Sequence, residues 1–241
     1  MVLPPPPASL FADASLFLDL DGTLVDFAPL PGDIVVGRDL QDILRDLHDR
    51  LGGRLAVVSG RALHDLGHHL EIDHLPAAGS HGLERRHASG ETHRPEATKA
   101  LSDAFAEITE TATFEGLHFE NKPLSLAVHY RQRPDLADQI IPQIESIARR
   151  HGLLVQKGAM VVEVRPKGPN KGDAVRAFMS EPPFKFGRPV FVGDDLTDEA
   201  AFRAARELGG HAVLVGEMRE TEAQFRLPDV AAVRAWLKGA L

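Results

Sequence analysis

Hydrophobic residues along the chain fall into two kinds of pattern. Short continuous runs have the length of strands, and between them apolar residues recur every three or four positions, as on one face of a helix. The strand-like runs cover residues 16–18, 54–58, 75–79, 188–192 and 211–215, and the helical stripes cover residues 39–51, 62–70, 199–207 and 230–237. Apolar runs without alternation are typical of parallel strands buried on both faces. The pattern therefore predicts an α/β fold built on a doubly wound parallel sheet.

The pattern changes in the middle of the chain. Helical stripes at residues 96–109 and 135–150 are each followed by two extended runs, at 117–123 and 124–131 and then at 153–156 and 160–165. This order predicts a small α+β module rather than further βα units. Lys171 then precedes a helix that runs to Met179, and the βα rhythm resumes. We therefore expect a discontinuous core of residues 1–92 and 168–241, with residues 93–167 inserted as a second domain.

Polar side chains follow three of the predicted core strands directly. They are Asp19 and Asp21 after the first strand, Ser59 and Arg61 after the second, and Asp194, Asp195 and Asp198 after the run at 188–192. The carboxyl ends of parallel strands are where open α/β sheets bind ligands. Two carboxylates held close together repel each other unless a cation intervenes, and Mg²⁺ prefers hard oxygen ligands. These acids, with a serine hydroxyl and Lys171, predict a phosphate held beside a divalent metal.

Each of these signals alone has a simpler interpretation. An acidic pair after a strand also occurs in nucleotide-ribose and calcium sites, Ser59 could cap the following helix, and a lone lysine is most often solvated. His64 and His68 lie four apart on a predicted helix, as zinc ligands do. No carboxylate-rich spacing accompanies them, which favours surface histidines.

Composition and charge narrow the class of protein. The chain has 35 acidic and 27 basic residues and a formal net charge of −8, which argues against a nucleic-acid partner. No apolar run approaches the roughly 20 residues that span a bilayer. The absence of cysteine excludes disulfides and thiolate chemistry, and residues 1–7 lack the basic start and apolar stretch of a signal peptide. We expect a monomeric, cytoplasmic protein that binds a small molecule and neither nucleic acid nor membrane.

Four segments resemble the four motifs of the haloacid dehalogenase superfamily of phosphatases. They are Asp19-Leu20-Asp21-Gly22-Thr23, Ser59-Gly60-Arg61, Lys171 and Gly193-Asp194-Asp195-Leu196-Thr197-Asp198, in the family's order. The resemblance implies a Rossmann-like core and Mg²⁺ as cofactor. It makes Asp19 the nucleophile that takes the phosphoryl group and Asp21 the general acid and base.

The same resemblance implies roles for the other core residues. Mg²⁺ would be held by Asp19, the main-chain carbonyl of Asp21 and Asp194, and the phosphoryl oxygens would be bound by Ser59, the Gly60 amide and Lys171. Asp195 and Asp198 would orient these ligands and the lysine. Metal and lysine together would remove the repulsion between an anionic nucleophile and an anionic phosphate.

The inserted segment lies where the family's C2-type cap lies, and it resembles the cap of trehalose-6-phosphate phosphatases. The resemblance rests mainly on residues 119–123, 127–131 and 162–166. It implies that Glu120, Lys122 and Glu163 hydrogen-bond sugar hydroxyls, with Arg131 and His81 assisting. Arg61 either binds substrate or braces its loop, and the sequence does not decide between the two.

The expected reaction is Mg²⁺-dependent hydrolysis of trehalose 6-phosphate through an aspartyl-phosphate. Three alternatives stay open on the sequence. The substrate could be another sugar phosphate, such as sucrose 6-phosphate or a mannosylglycerate phosphate. The chain could be a catalytically silent sugar-phosphate sensor, or a phosphotransferase that passes the phosphoryl group to a sugar.

Overall fold

The computed structural model describes residues 3–28, 33–70, 75–158 and 160–241. Part of the N-terminal segment considered above, residues 1–2, lies outside these ranges. The chain divides into two compact units, which we call the core (residues 1–94 and 169–241) and the cap (residues 95–168). These bounds differ by at most two residues from those expected. Within the described ranges, no helix combines the length and apolar character needed to cross a membrane.

The elements of the two units follow in chain order. The strands are β1 (Ala14–Leu18), β2 (Leu55–Val58), β3 (Ala77–Gly79), β4 (Glu84–Arg86), β5 (Thr92–His93), β6 (His118–Asn121), β7 (Leu126–His129), β8 (Leu154–Gly158), β9 (Val161–Arg165), β10 (Arg188–Gly193), β11 (His211–Val215) and β12 (Phe225–Leu227). The helices are α1 (Arg38–Arg50), α2 (Leu63–Leu70), α3 (Lys99–Thr111), α4 (Ala137–Arg150), α5 (Lys171–Met179), α6 (Glu199–Glu207) and α7 (Val230–Lys238).

The core is one eight-stranded sheet in the order β12-β11-β10-β1-β2-β3-β4-β5. The strands from β12 to β3 run parallel, and β4 and β5 add an antiparallel edge. Strand β1 lies between β10 and β2. The carboxyl ends of these three strands therefore meet at one place on the sheet edge.

Successive residues of β1 point to opposite faces of the sheet, and helices cover both faces. Leu16 and Leu18 pack in an apolar cluster with residues of α1, α2 and α7, while Phe17 packs in a second cluster with residues of α5 and α6. Burial on both faces explains why the strand sequence is continuously apolar rather than alternating. The predicted doubly wound α/β fold is confirmed.

The cap is a four-stranded antiparallel sheet in the order β6-β7-β9-β8, packed on α3 and α4. Leu126 and Val128 of β7 join the apolar cluster with the helices, as do Val162 and Val164 of β9. Residues between them, such as Ala127 and Glu163, therefore belong to the other face of the sheet. That face carries the polar residues that the sequence singled out.

The structure differs from the predicted elements in a few places. Strands β4, β5 and β12 were not predicted, because two or three residues of mixed polarity show no periodic signal. Lys171 is the first residue of α5 rather than a residue before it. Asn170 caps that helix, with Asp173 completing a reciprocal capping pair.

Phe17 offers a test of this packing. Its ring lies 5.9 Å from that of Phe178 and 5.4 Å from that of Phe184, centroid to centroid. We expect Phe17→Ala to lower the free energy of unfolding by about 3–5 kcal/mol, because it leaves a cavity in a close-packed core. Urea unfolding measures this. Phe186→Ala is the control, since that ring is 71% exposed and its loss should cost less than about 0.5 kcal/mol. Equal losses in the two variants would contradict this account.

Candidate active site

Strands β10, β1 and β2 bring the predicted core residues to one edge of the sheet. Asp19 directly follows β1, Ser59 directly follows β2, and Asp194 directly follows β10. The Asp19 amide donates to the Val192 carbonyl of β10 at 3.0 Å, which joins the ends of the two strands. Three separate parts of the sequence therefore meet because the strands that carry them are neighbours.

Lys171 lies between two carboxylates of this edge. Its Nζ donates to Oδ1 of Asp19 at 2.9 Å and to Oδ1 of Asp198 at 2.6 Å. All three side chains are at most 5% exposed. Burial by itself lowers the pKa of Lys171, but the two carboxylates outweigh it and raise the pKa above its ordinary value. The lysine is therefore a fixed positive charge beside Asp19.

Asp198 is held by more than the lysine. Its Oδ2 accepts the amides of Asp194 and Asp195, at 2.9 and 3.0 Å. Asp195 in turn caps the short 3₁₀ turn Leu196–Asp198, with its Oδ1 accepting the Leu196 amide. Both oxygens of Asp198 are thus engaged within the protein. In this structure both acids therefore accept main-chain amides of the loop after β10, and their role in orienting the ligands and the lysine stays a prediction.

Carboxylate oxygens of Asp19, Asp194 and Asp198 lie within 4.8 Å of one another. Burial raises the pKa of Asp19 well above its ordinary value; Lys171 opposes this rise, and Asp198 and Asp194 add to it. Burial, followed by repulsion from Asp198, raises the pKa of Asp194 to about 7. Three acids thus face one lysine, and this excess of negative charge is what a divalent cation would neutralise. The oxygen-only donor set fits a hard cation such as Mg²⁺.

The Asp21 carboxylate is paired with Arg61. Nε and Nη2 of Arg61 donate to Oδ2 and Oδ1 of Asp21, both at 2.7 Å, in a bidentate pair. Arg61 also lies 3.9 Å from Asp65, and its side chain is 9% exposed. This contact with the predicted general acid is neither of the two roles that the sequence left open for Arg61.

Ser59 is buried, and its hydroxyl accepts the Arg61 amide at 3.1 Å. That bond closes a local turn two residues long and is not a cap on α2. The first amide of α2, that of Leu63, is instead accepted by Oε2 of Glu84 at 2.7 Å. The sequence did not single out Glu84, because it lies 21 positions further along the chain on an unpredicted strand.

His81 lies in the core, 9% exposed, with its imidazole against Gly60. Arg219 is a further core residue of the site, and no pattern in the sequence pointed to it. Its Nη2 donates to the main-chain carbonyls of Asp194 and Asp195, at 3.2 and 2.8 Å. It thereby fixes the loop that follows β10.

Three of the predicted sugar-binding residues, Glu120, Lys122 and Glu163, form one connected group on the polar face of the cap sheet. Nζ of Lys122 lies 3.4 Å from Oε2 of Glu163 and 4.0 Å from Oε2 of Glu120. Ser125 donates to Oε1 of Glu163 at 2.5 Å, and Nε2 of His129 lies 2.9 Å from Oε2 of Glu120. We call these five residues the cap cluster.

The charged groups of the cap cluster contact one another. Burial raises the pKa of Glu120, but the hydrogen bond to His129 and the charge of Lys122 outweigh it, so the pKa lies below its ordinary value. Ser125 and His129 were not selected from the sequence. The strand pairing reveals them. Ala127 pairs with Glu120 and with Glu163 on the neighbouring strands, and Ser125 and His129 lie two positions to either side of Ala127, on the same face of the sheet. Arg131, just past β7, is exposed.

Comparison with known proteins agrees with this geometry. The family model for trehalose-phosphatase matches residues 17–231. A probable trehalose-phosphate phosphatase of Sinorhizobium fredii is 40% identical over 224 residues, which is 91% of this chain and 84% of the relative. The trehalose-6-phosphate phosphatase of Escherichia coli is 38% identical over 232 residues, which is 95% of this chain and 87% of the relative.

Solved structures agree as well. A trehalose-6-phosphate phosphatase related protein superposes with a TM-score of 0.78 at 31% identity, over 93% of this chain and 95% of that one. The C-terminal domain of Candida albicans trehalose-6-phosphate phosphatase superposes with a TM-score of 0.82 at 23% identity, over 99% and 97%, which supports the fold.

The core fold is the one found in phosphatases of the haloacid dehalogenase superfamily, and acids and a lysine lie at the carboxyl edge of its sheet. Within that class, the chain belongs to the trehalose-phosphatase family. The predicted family is thereby confirmed.

Gly22 tests how tightly the first acidic turn is built. It has φ +80°, and a Cβ placed on it would collide with Oδ2 of Asp194. We expect Gly22→Ala to lower the free energy of unfolding by at least about 2 kcal/mol, because it adds a collision to the roughly 1–2 kcal/mol cost of a left-handed non-glycine residue.

Gly90→Ala is the matched control for this measurement. Gly90 has φ +86°, and a Cβ placed on it would meet nothing within 4 Å, so its variant reports the backbone cost alone. Urea unfolding of both variants separates the two contributions. If Gly22→Ala lowers the free energy of unfolding by no more than Gly90→Ala does, the close approach of Asp194 to Gly22 does not affect stability.

Proposed function

We propose that the protein hydrolyses trehalose 6-phosphate to trehalose and phosphate, with Mg²⁺ as its cofactor. The observation that carries this proposal is the contact of Lys171 with Asp19 beside Asp194, in a member of the trehalose-phosphatase family. The Escherichia coli relative is named for trehalose 6-phosphate, and the Sinorhizobium fredii relative is named for trehalose phosphate. A monomeric state and a cytoplasmic location remain predictions from the sequence.

The proposed chemistry begins with Asp19. Lys171 donates to Oδ1 of Asp19, and a carboxylate oxygen of Asp19 attacks phosphorus. The new bond joins Asp19 to the phosphoryl group, the bond from phosphorus to the sugar oxygen breaks, and the protonated Asp21 gives its proton to that oxygen. In the second step Asp21 takes a proton from water, the resulting hydroxide attacks phosphorus, and Asp19 leaves with phosphate released.

Charge neutralisation makes this attack feasible. Lys171 offsets the negative charge of Asp19 and of the phosphoryl oxygens, while Ser59 and the Gly60 amide would hold those oxygens. Asp19, Asp194 and the main-chain carbonyl of Asp21 would hold Mg²⁺, which when bound supplies further positive charge to the phosphoryl group. Arg61 donates to both oxygens of Asp21, so the proton transfers require it to release at least one of these oxygens.

The cap cluster would recognise the sugar. Glu120, Glu163 and Lys122 present carboxylate oxygens and an ammonium on one sheet face, and a hydroxyl can donate to the former while accepting from the latter. Partly buried charged groups form stronger hydrogen bonds than neutral ones. A site built in this way rejects a ligand that lacks the matching hydroxyls, because its charged groups then stay unpaired.

A silent sensor is the main alternative from another class. A trehalose synthase regulatory protein of Candida albicans has this fold, with a TM-score of 0.72 at 13% identity, so the fold does not decide between the two. The buried contact of Lys171 with Asp19 favours catalysis, since a binder gains nothing from a nucleophile held beside a lysine.

Phosphate release from trehalose 6-phosphate tests the proposal directly. We expect turnover with Mg²⁺, loss of turnover when EDTA is added, and restoration by excess Mg²⁺. Glucose 6-phosphate, sucrose 6-phosphate and a mannosylglycerate phosphate run in parallel should be poorer substrates. Asp19→Asn should lose at least about 10³-fold in kcat, because the nucleophile is removed. Equal rates on all esters would reject the assigned substrate, phosphate appearing on a sugar product would indicate a phosphotransferase, and no turnover by folded wild type would reject catalysis.

Glu120→Ala tests the role of the cap cluster. We expect kcat/KM for trehalose 6-phosphate to fall on the order of 10²-fold, because Lys122 and His129 lose a shared partner and the sugar loses an acceptor. Turnover of a small aryl phosphate should change less than about threefold. Glu110→Ala, at an exposed position of α3 in the same unit, is the matched control. Equal losses on the two substrates would remove Glu120 from sugar recognition.

A further inference from the structure

The segment after β3 has an unusual backbone. Ser80, His81 and Gly82 have φ values of 48°, 57° and 105°, so three successive residues lie in the left-handed region. Only the glycine adopts such angles without cost, and a serine and a histidine there are strained. Strained residues persist where their surroundings fix them, and they concentrate at functional sites.

Hydrogen bonds fix this segment to the loop that carries Ser59 and Gly60. The Ser80 amide donates to the Arg61 carbonyl at 2.7 Å, and the His81 amide donates to the Ser59 carbonyl at 3.0 Å. The Ser80 hydroxyl lies 3.4 Å from Oε2 of Glu84, the oxygen that also accepts the Leu63 amide. The strained segment thus supports the backbone on both sides of Gly60.

Side-chain packing adds two closer contacts. A Cβ on Gly60 would lie 2.5 Å from Cε1 of His81, so the imidazole fills the space where a side chain at position 60 would stand. A Cβ on Gly82 would lie 2.6 Å from the carbonyl oxygen of Asn170, the residue that caps α5 before Lys171. Residues 80–82 therefore contact the loop of Ser59 and Gly60, which we call the phosphate loop, and also the start of α5, the helix that carries Lys171.

From these contacts we propose that residues 80–82 set the distance between the phosphate loop and Lys171, and that His81 is the positioning residue for the Gly60 amide. This inference rests on the proposed function, because it takes Ser59 and Gly60 as the residues that bind the phosphoryl oxygens. It differs from the expectation that His81 assists in binding the sugar. A positioning role affects every phosphate ester alike, whereas a sugar contact affects only the sugar ester.

His81→Gly separates the two roles. Glycine accepts the left-handed backbone, so the variant removes the ring and leaves the local chain path available. We expect kcat/KM to fall on the order of 10²-fold on both trehalose 6-phosphate and a small aryl phosphate, as for a small misplacement of reacting groups. Competitive inhibition by inorganic phosphate should weaken by a similar factor. The melting temperature should fall by no more than about 4 °C.

A double variant tests the contact itself. Gly60→Ala should lose most activity, because its Cβ meets the His81 ring. Adding His81→Gly to Gly60→Ala should then raise activity at least about tenfold above Gly60→Ala alone, which two independent losses would not do. His93→Gly, at an exposed histidine of β5, is the matched control and should leave all these quantities unchanged.

Each result of these experiments either supports or contradicts the positioning role of His81. Parallel losses on both esters, weaker inhibition by phosphate and recovery in the double variant support the positioning role. Loss on trehalose 6-phosphate alone, no loss on either ester, or no recovery in the double variant would overturn it. If wild type cleaves only the aryl phosphate, the proposed substrate fails and the His81 test proceeds on that ester. If wild type cleaves neither, calorimetric binding of inorganic phosphate with Mg²⁺ gives the same comparison.

Discussion

The contact of the Lys171 ammonium with the carboxylates of Asp19 and Asp198 is the interaction on which the rest of the site depends. The two acids lie 152 and 27 positions from the lysine in the chain, so the contact forms only when β1, α5 and the loop after β10 are all in place. Removing one partner of a buried charge group leaves an uncompensated charge, which typically costs about 3–5 kcal/mol. The contact of Lys171 with Asp19 and Asp198 therefore matters both for the stability of the fold and for the proposed chemistry.

The need to hold this contact in place explains why further polar groups surround it. Asp198 uses its second oxygen on the amides of Asp194 and Asp195, and Arg219 holds the carbonyls of those two residues. These contacts leave the Asp194 carboxylate beside Asp19, with more negative charge than Lys171 can offset. A divalent cation would neutralise this excess charge, and the contacts around it would then hold the groups of the site in place before the proposed reaction begins.

Residues whose role follows from local sequence were predictable, and those whose role follows from packing were not. The strand that ends at Leu18 is a continuous apolar run, so its pattern alone placed Asp19 at the edge of the sheet. Glu84, Arg219 and His129 showed no such signal. Each acts through a partner that is distant in the sequence, or through pairing with a neighbouring strand, and a single sequence records neither. The short strands β4, β5 and β12 escaped prediction because they carry too few residues to show a period.

Under the proposed function, catalysis and recognition depend on different residues. In the core, the proposed phosphate chemistry depends on charges fixed by strand ends, by the cap of α5 and by the left-handed segment that follows β3. In the cap, the register of β6, β7 and β9 places Ala127 between Glu120 and Glu163, so that the small side chain keeps two carboxylates apart on one face. The contacts given above for the cap cluster are all with residues of the cap. Under the proposed function, changes in the cap cluster should therefore alter which sugar is accepted more than they alter the nucleophile, so that the cap would set specificity while the core supplies the reaction.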